Sequence, residues 1–185
     1  SIPILVTLYY NHIRKDLISK KSAENIDITK ILQKSIQSQY DDIATIMLYA
    51  GYSDSCISFL TNEMTYQSYK NIYSVLNMLT SINKNIFNIS ITPVGKTTYS
   101  IPGYQSPLAP SCLEYSDGQV HYDGYAEIKT TASSTVPVFS YSMNIISYGN
   151  AKSPGEKIGY MTLLVKVDSI VQEISDFSTL SNTSF

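Results

Sequence analysis

From Ile4 to Ala50 the chain has no glycine, its only proline up to that point is Pro3, and after Asn85 its apolar residues stop recurring every three or four positions and begin to alternate. Helices bury residues at a period near 3.6 and strands at a period of two, so such a chain folds as helices followed by a sheet. The stretch 4–50 reads as one long helix, or as two joined near Ser22 to Asn25. Its second half carries one apolar stripe, Ile36, Tyr40, Ile43, Met47 and Ala50, with Gln37, Ser38, Asp41 and Asp42 on other faces. Gly51 is expected to end that helix. A second amphipathic helix is predicted from about Thr65 to Ile82, with Tyr69, Ile72, Tyr73, Leu76 and Leu79 on its inner face.

Strands follow. Phe87 to Thr92, a Pro93-Val94-Gly95 turn and KTTYSI read as a hairpin. The stretch from Pro102 to Asp117 is an irregular excursion, with room for a short helix near Leu108 to Tyr115. GQVHYDGYAEIKT, VPVFSYSMNIIS and KIGYMTLLVKV then supply three more strands, about five in all, mostly antiparallel because the connections are short. The expected core comprises Ile36, Ile43, Met47, Leu76, Phe87, Ile89, Phe139, Met143, Leu163 and Val165. The last strand enters a helix without a loop: Asp168 is expected as N-cap, and Ile170, Val171, Ile174 and Phe177 recur at helical spacing. A junction that stiff passes a displacement of the sheet into the helix, so Val167, Asp168, Ile170 and Ile174 are read as a signal-transmitting junction. Strand-to-helix junctions are also common as plain architecture.

At 185 residues the chain is long enough for one sizeable core, and with 15% charged residues and a net charge of -2 it has no basic face for nucleic acid. Arg14, Lys15, Lys20 and Lys21 read as a solvated helix face. Cys56 and Cys112 match no zinc spacing and are read as independent thiols, although a bridge is chemically allowed outside the cytoplasm. His12 with Asp16, and His121 with Asp123, are two-ligand pairs, short of the three or four protein ligands a zinc ion takes, so no metal or other cofactor is expected. The adjacent Asp41 and Asp42 diverge on a helix, and GYQSP from Gly103 lacks the spacing of a nucleophile elbow. No enzymatic activity is expected of the chain.

The order of elements, and above all KIGYMTLLVKVDSIVQEI together with SDSCISFLTNEMTYQSYKNIYSVLNMLTSINKNIFNISIT, resembles a Cache domain, the PAS-like extracytoplasmic sensor of bacterial receptors such as sensor histidine kinases. The resemblance covers nearly the whole chain. It implies a single α/β (α+β) domain over 1–185: helices over 1–83, a PAS-like antiparallel sheet of about five strands with a pocket loop over 84–168, and an exit helix over 169–185. The implied role is an extracytoplasmic ligand-sensing domain on the outer face of the cell membrane, in a membrane-spanning, homodimeric two-component sensor histidine kinase. The alternatives are a secreted or surface-anchored carbohydrate-binding protein and a chemoreceptor or cyclic-dinucleotide receptor.

Strand alternation places Phe139, Tyr141, Met143 and Ile145 on one face with Met161, Leu163, Val165 and Val167, toward the long helix. The other face carries Ser140, Ser142, Asn144, Tyr160 and Thr162, and His121, Asp123 and Tyr125 are placed on the same side. In the resembled family this face holds the ligand under the irregular loop, and these side chains suit hydrogen bonding with ring stacking. A plain solvent-facing sheet surface is the other reading of the same alternation. Amino-acid-binding Cache domains carry an Arg and a Trp in the pocket helix and a later Asp; this chain has no Trp, and its only arginine is Arg14. The expected partner is therefore a small polar molecule, a sugar ahead of a carboxylate, with Lys129 the residue left to hold an anion.

Overall fold

The computed structural model describes residues 25–62, 65–130, 134–148, 154–168 and 171–172. The chain divides into two compact units, residues 1–43 with 168–185, and residues 44–167. The second contains the whole sheet.

Helix α1 (Asn25–Gly51) buries Ile36, Ile43, Met47 and Ala50 of the predicted stripe and Leu32 beside them, whereas Tyr40 of that stripe is half-buried. At its last residue, Gly51, the backbone runs so close to the sheet that a Cβ would lie 2.8 Å from Met143 Cε, which favours glycine there. A short helix that the sequence reading lacked, α2 (Asp54–Thr61), starts at once, with the Ser53 hydroxyl accepting from the Cys56 N–H at 3.2 Å. It buries Cys56, Phe59 and Leu60. Helix α3 (Tyr66–Ile82) opens with a reciprocal cap: the Ser68 N–H donates to Thr65 Oγ1 and the Thr65 N–H donates to Ser68 Oγ. Its buried positions are Ser68, Ile72, Leu76 and Leu79. Tyr69 and Tyr73, predicted on the inner face, stand at its margin and are 37% and 50% exposed. The Tyr69 ring still meets Phe59 and Tyr99 edge-on or tilted, so it covers the core rather than filling it.

The sheet has five strands, β1 (Ile86–Pro93), β2 (Tyr99–Ile101), β3 (Val120–Lys129), β4 (Thr135–Ile146) and β5 (Lys157–Lys166), all pairings antiparallel in the order β2-β1-β5-β4-β3. This is an α+β sheet of the expected kind. One face presents Ile89, Ile91, Phe139, Tyr141, Met143, Ile145, Met161, Leu163 and Val165, all buried. Each such side chain contributes roughly 1.5–3 kcal/mol by leaving water. The helices approach closely at Gly159, where a Cβ would stand 2.7 Å from both Leu60 Cδ2 and the Thr92 carbonyl oxygen.

Two bulges reset the alternation. In β1 the register shifts between Ile86 and Asn88, which turns Phe87 away from the helix-side core. Phe87 packs instead on the opposite face, against the cluster of Ala126, Ile128, Val138 and Leu164, where its ring meets Tyr104 at 5.2 Å. This corrects the predicted core position of Phe87. In β3 the shift lies between Tyr122 and Gly124. Gly124 has φ +136°, a conformation other residues adopt only with strain, which is why a glycine ends the bulge.

Candidate functional site

The second face of the sheet is polar at its centre and is covered by the connection between β2 and β3, residues 102–119. Three rungs cross it from β1 through β5 to β4: Asn88 with Leu164 and Ser140, Ser90 with Thr162 and Ser142, and Thr92 with Tyr160 and Asn144. All of these except Tyr160, which is half-buried, are buried.

The β3–β4 half of the face holds the covering loop. Asp123, the residue extruded by the β3 bulge, accepts from Ser140 Oγ at 2.8 Å, from Ser142 Oγ at 2.6 Å and from the Ser111 N–H at 2.7 Å. Ser142 Oγ also accepts from the Cys112 N–H, and the Ser106 hydroxyl meets Ser140 Oγ at 3.2 Å. Asn144 Nδ2 lies 2.5 Å from the Cys112 carbonyl, 2.9 Å from that of Tyr115 and 3.2 Å from that of Asp117. These bonds fix a 3₁₀ turn (Ser111–Glu114) on the sheet. At the end of the loop the His121 ring stacks on Tyr115 with centroids 4.1 Å apart, and its Nε2 lies 2.9 Å from Asp117 Oδ1. That hydrogen bond, helped by the Gln119 N–H, draws the Asp117 carboxyl below its ordinary value against the opposing effect of burial.

Seven of the eight residues predicted to line this face are on it: His121, Asp123, Ser140, Ser142, Asn144, Tyr160 and Thr162. Tyr125 is the exception and is corrected here. Because the bulge consumes one residue, Tyr125 pairs with Phe139 on the helix-side face, its ring edge-on to Phe139 at 6.2 Å and its hydroxyl donating to Glu127. The sequence reading missed the loop partners Ser106, Ser111, Cys112, Tyr115 and Asp117, and it missed Asn88. The signal that was present for the bulge is Asp123-Gly124 inside a strand.

The buried thiols offer little chemistry. Cys56 and Cys112 are unpaired; burial pushes Cys56 up to about 12, and burial raises Cys112 against the opposing hydrogen bond from Ser142 and the charge of Lys157. Burial, with the nearby Asp123 charge, also raises Tyr122. No group of three His, Cys, Asp or Glu side chains suited to a metal occurs among the described residues.

At the junction, helical conformation begins at Val167, directly after β5. Asp168 is therefore inside the first helical turn and is not the N-cap; a carboxylate there still faces the positive end of the helix. Ile170 and Ile174 lie outside the described residues, as do Arg14, Lys15, Lys20, Lys21 and His12. No single helix among the described residues is long and apolar enough to cross a membrane.

No family model and no curated protein sequence matches the chain. Solved structures do. The sensory domain of the Campylobacter jejuni chemoreceptor Tlp3 with isoleucine bound aligns with a TM-score of 0.55 at 13% identity, over 93% of this chain and 66% of that one. The ligand-binding domain of the same receptor with 4-methylisoleucine aligns with a TM-score of 0.54 at 13% identity, over 80% and 59%. The ligand-binding domain of the Pseudomonas aeruginosa PAO1 amino acid chemoreceptor PctC with GABA gives 0.50 at 12% identity, over 78% and 60%. The chain shares the fold of these sensory and ligand-binding domains, helices on a five-stranded antiparallel sheet, and spans 59% to 66% of the length of these three.

Proposed function

We propose that this chain is the extracytoplasmic ligand-sensing domain of a membrane-spanning receptor, binding a small polar molecule between the polar sheet face and the loop 102–119. The observation that carries this reading is the row of buried polar side chains, Asn88, Ser90, Thr162, Ser140, Ser142 and Asn144, lying under a long irregular loop on a face that a purely structural sheet would fill with apolar residues. The shared fold with three sensory or ligand-binding domains supports the same role.

The finer reading is a homodimeric two-component sensor histidine kinase that responds to a sugar. In that receptor the output leaves through β5 and the helix that starts at Val167. A ligand shifts a two-state equilibrium only by its difference in affinity for the two states, and the loop, tied to β4 through Ser140, Ser142 and Asn144, is the part that both ligand and sheet engage. Inserting glycines between Val167 and Asp168 is expected to leave ligand affinity unchanged and to abolish ligand-dependent autophosphorylation of the parent receptor in membranes. Retained signalling in that variant would show that the junction does not transmit. A chemoreceptor output is the second reading, favoured by the identity of the structural neighbours; methyl-accepting rather than phosphorylating output in the parent chain would select it.

A further inference from the structure

Asn88 is 1% exposed and among the described residues makes one side-chain hydrogen bond, from Nδ2 to the Pro102 carbonyl at 3.2 Å. That bond fixes the amide: turned over, Oδ1 would face the carbonyl oxygen and both would repel. Oδ1 therefore points the other way, and it has no hydrogen-bond partner among the described residues. A buried amide oxygen left without a donor is costly, and a leucine in its place would avoid the penalty, so the position is explained by a donor that arrives from outside the chain.

The surroundings define that donor. On the same face the next rung brings the Ser90 and Thr162 hydroxyls, and Leu164 pairs directly with Asn88. Phe87 and Tyr104 set their rings beside Leu164. An apolar ring surface next to hydroxyls and a neutral amide suits a polyhydroxyl compound. A desolvated ammonium would need a free carboxylate, whereas Asp123 already accepts from Ser140, Ser142 and Ser111. Lys166, which lies two residues beyond Leu164 and pairs with Val138, would repel a cation further, and its own Nζ is turned to the Lys84 carbonyl.

We propose, resting on the sensing role above, that Asn88 is the ligand-recognising acceptor of this site and that its ligand is a neutral sugar or polyol donating a hydroxyl to Asn88 Oδ1. Calorimetry and thermal shift with glucose, galactose, mannitol and inositol, against isoleucine and GABA, test this. At least one polyol is expected to bind, and Asn88→Leu to weaken it about tenfold with the ligand-free melting temperature unchanged or raised. Asn88→Ser, which keeps a hydroxyl acceptor and sets no charge against the Pro102 carbonyl, is expected to retain more polyol affinity than the leucine variant; it also guards against a folding defect in that variant. Polyol binding indifferent to Asn88→Leu, or silence from all four polyols, overturns the proposal. Binding of isoleucine or GABA alone overturns it while leaving the sensing role intact. Silence from every probe, joined by a parent receptor whose output responds to none of them, removes both.

Discussion

The two halves of the polar face have similar composition and different tasks. On the β3–β4 half, Asp123, Ser140 and Ser142 bond to one another and to the loop backbone, and Asn144 Nδ2 reaches the loop carbonyls while its Oδ1 has no partner among the described residues. On the β1–β5 half, Asn88 keeps one oxygen unanswered beside Ser90 and Thr162. Burial alone does not separate these classes, since Ser142 and Thr162 are both buried and pair directly across β4 and β5. What separates Ser142 from Thr162 is where the hydrogen bonds go: Ser142 is bonded to Asp123 and to the Cys112 N–H of the covering loop.

The hardest break of this contrast is Asp123→Ala. It leaves two buried hydroxyls and the Ser111 N–H without their acceptor, and a loss of about 3 kcal/mol is expected in urea unfolding. Amide exchange at Ser111 and Cys112 should accelerate in the same variant; unchanged protection there would mean the loop is held by other contacts. Gly124→Ala comes next, at about 2 kcal/mol, because its φ of +136° strains an alanine and a Cβ would stand 3.2 Å from Leu108 Cδ1. The paired residues Ser142 and Thr162 then give a direct comparison. Ser142→Ala is expected to cost about 1–2 kcal/mol through the Asp123 and Cys112 bonds, whereas Thr162→Val should change stability by less than about 0.5 kcal/mol. Equal effects would erase the distinction between the halves.

The smallest effect concerns acid. Asp117 is held below its ordinary value by His121, so its contribution is present above the usual carboxylate range and is lost as pH falls through the lowered folded value. Asp117 is 41% exposed at its side chain, so solvent screening keeps the contribution small. His121→Ala should flatten that acid limb of the stability curve while leaving stability near pH 7 only slightly reduced. An acid limb identical in the variant would show that the pair contributes nothing.

Periodicity carried most of the architecture because it reports which residues leave water. The α1 stripe, but for the half-buried Tyr40, followed from helical spacing, and the strands with the positions of Met143, Leu163, Ile89 and Val165 followed from alternation. Alternation failed at Phe87 and Tyr125, and both failures have one cause, a single extra residue in a strand, which inverts every position beyond it. Asp-Gly within a strand was a usable warning for the second, whereas Ile86-Phe87-Asn88 contains no such mark. Helix α2 was missed because its eight residues are too few for a full apolar repeat, although Ser53 is an ordinary cap. The anchoring of the loop was not legible, since Ser111, Cys112, Tyr115 and Asp117 engage through backbone groups that any sequence could supply.

The bulge at Asp123-Gly124 has a wider consequence. It splits β3 into two half-strands of opposite phase: before it, His121 faces the loop and Tyr122 the helices; after it, Ala126 and Ile128 join the apolar cluster while Tyr125 turns to the helices. The strand thus works like a shaft with a coupling in it. Residues on the loop side can be exchanged to suit a different cargo without rotating the greasy end, and the greasy end can be repacked without turning the loop anchors out of position. A scaffold with such a coupling can vary one face of the strand while its remaining parts keep their alignment.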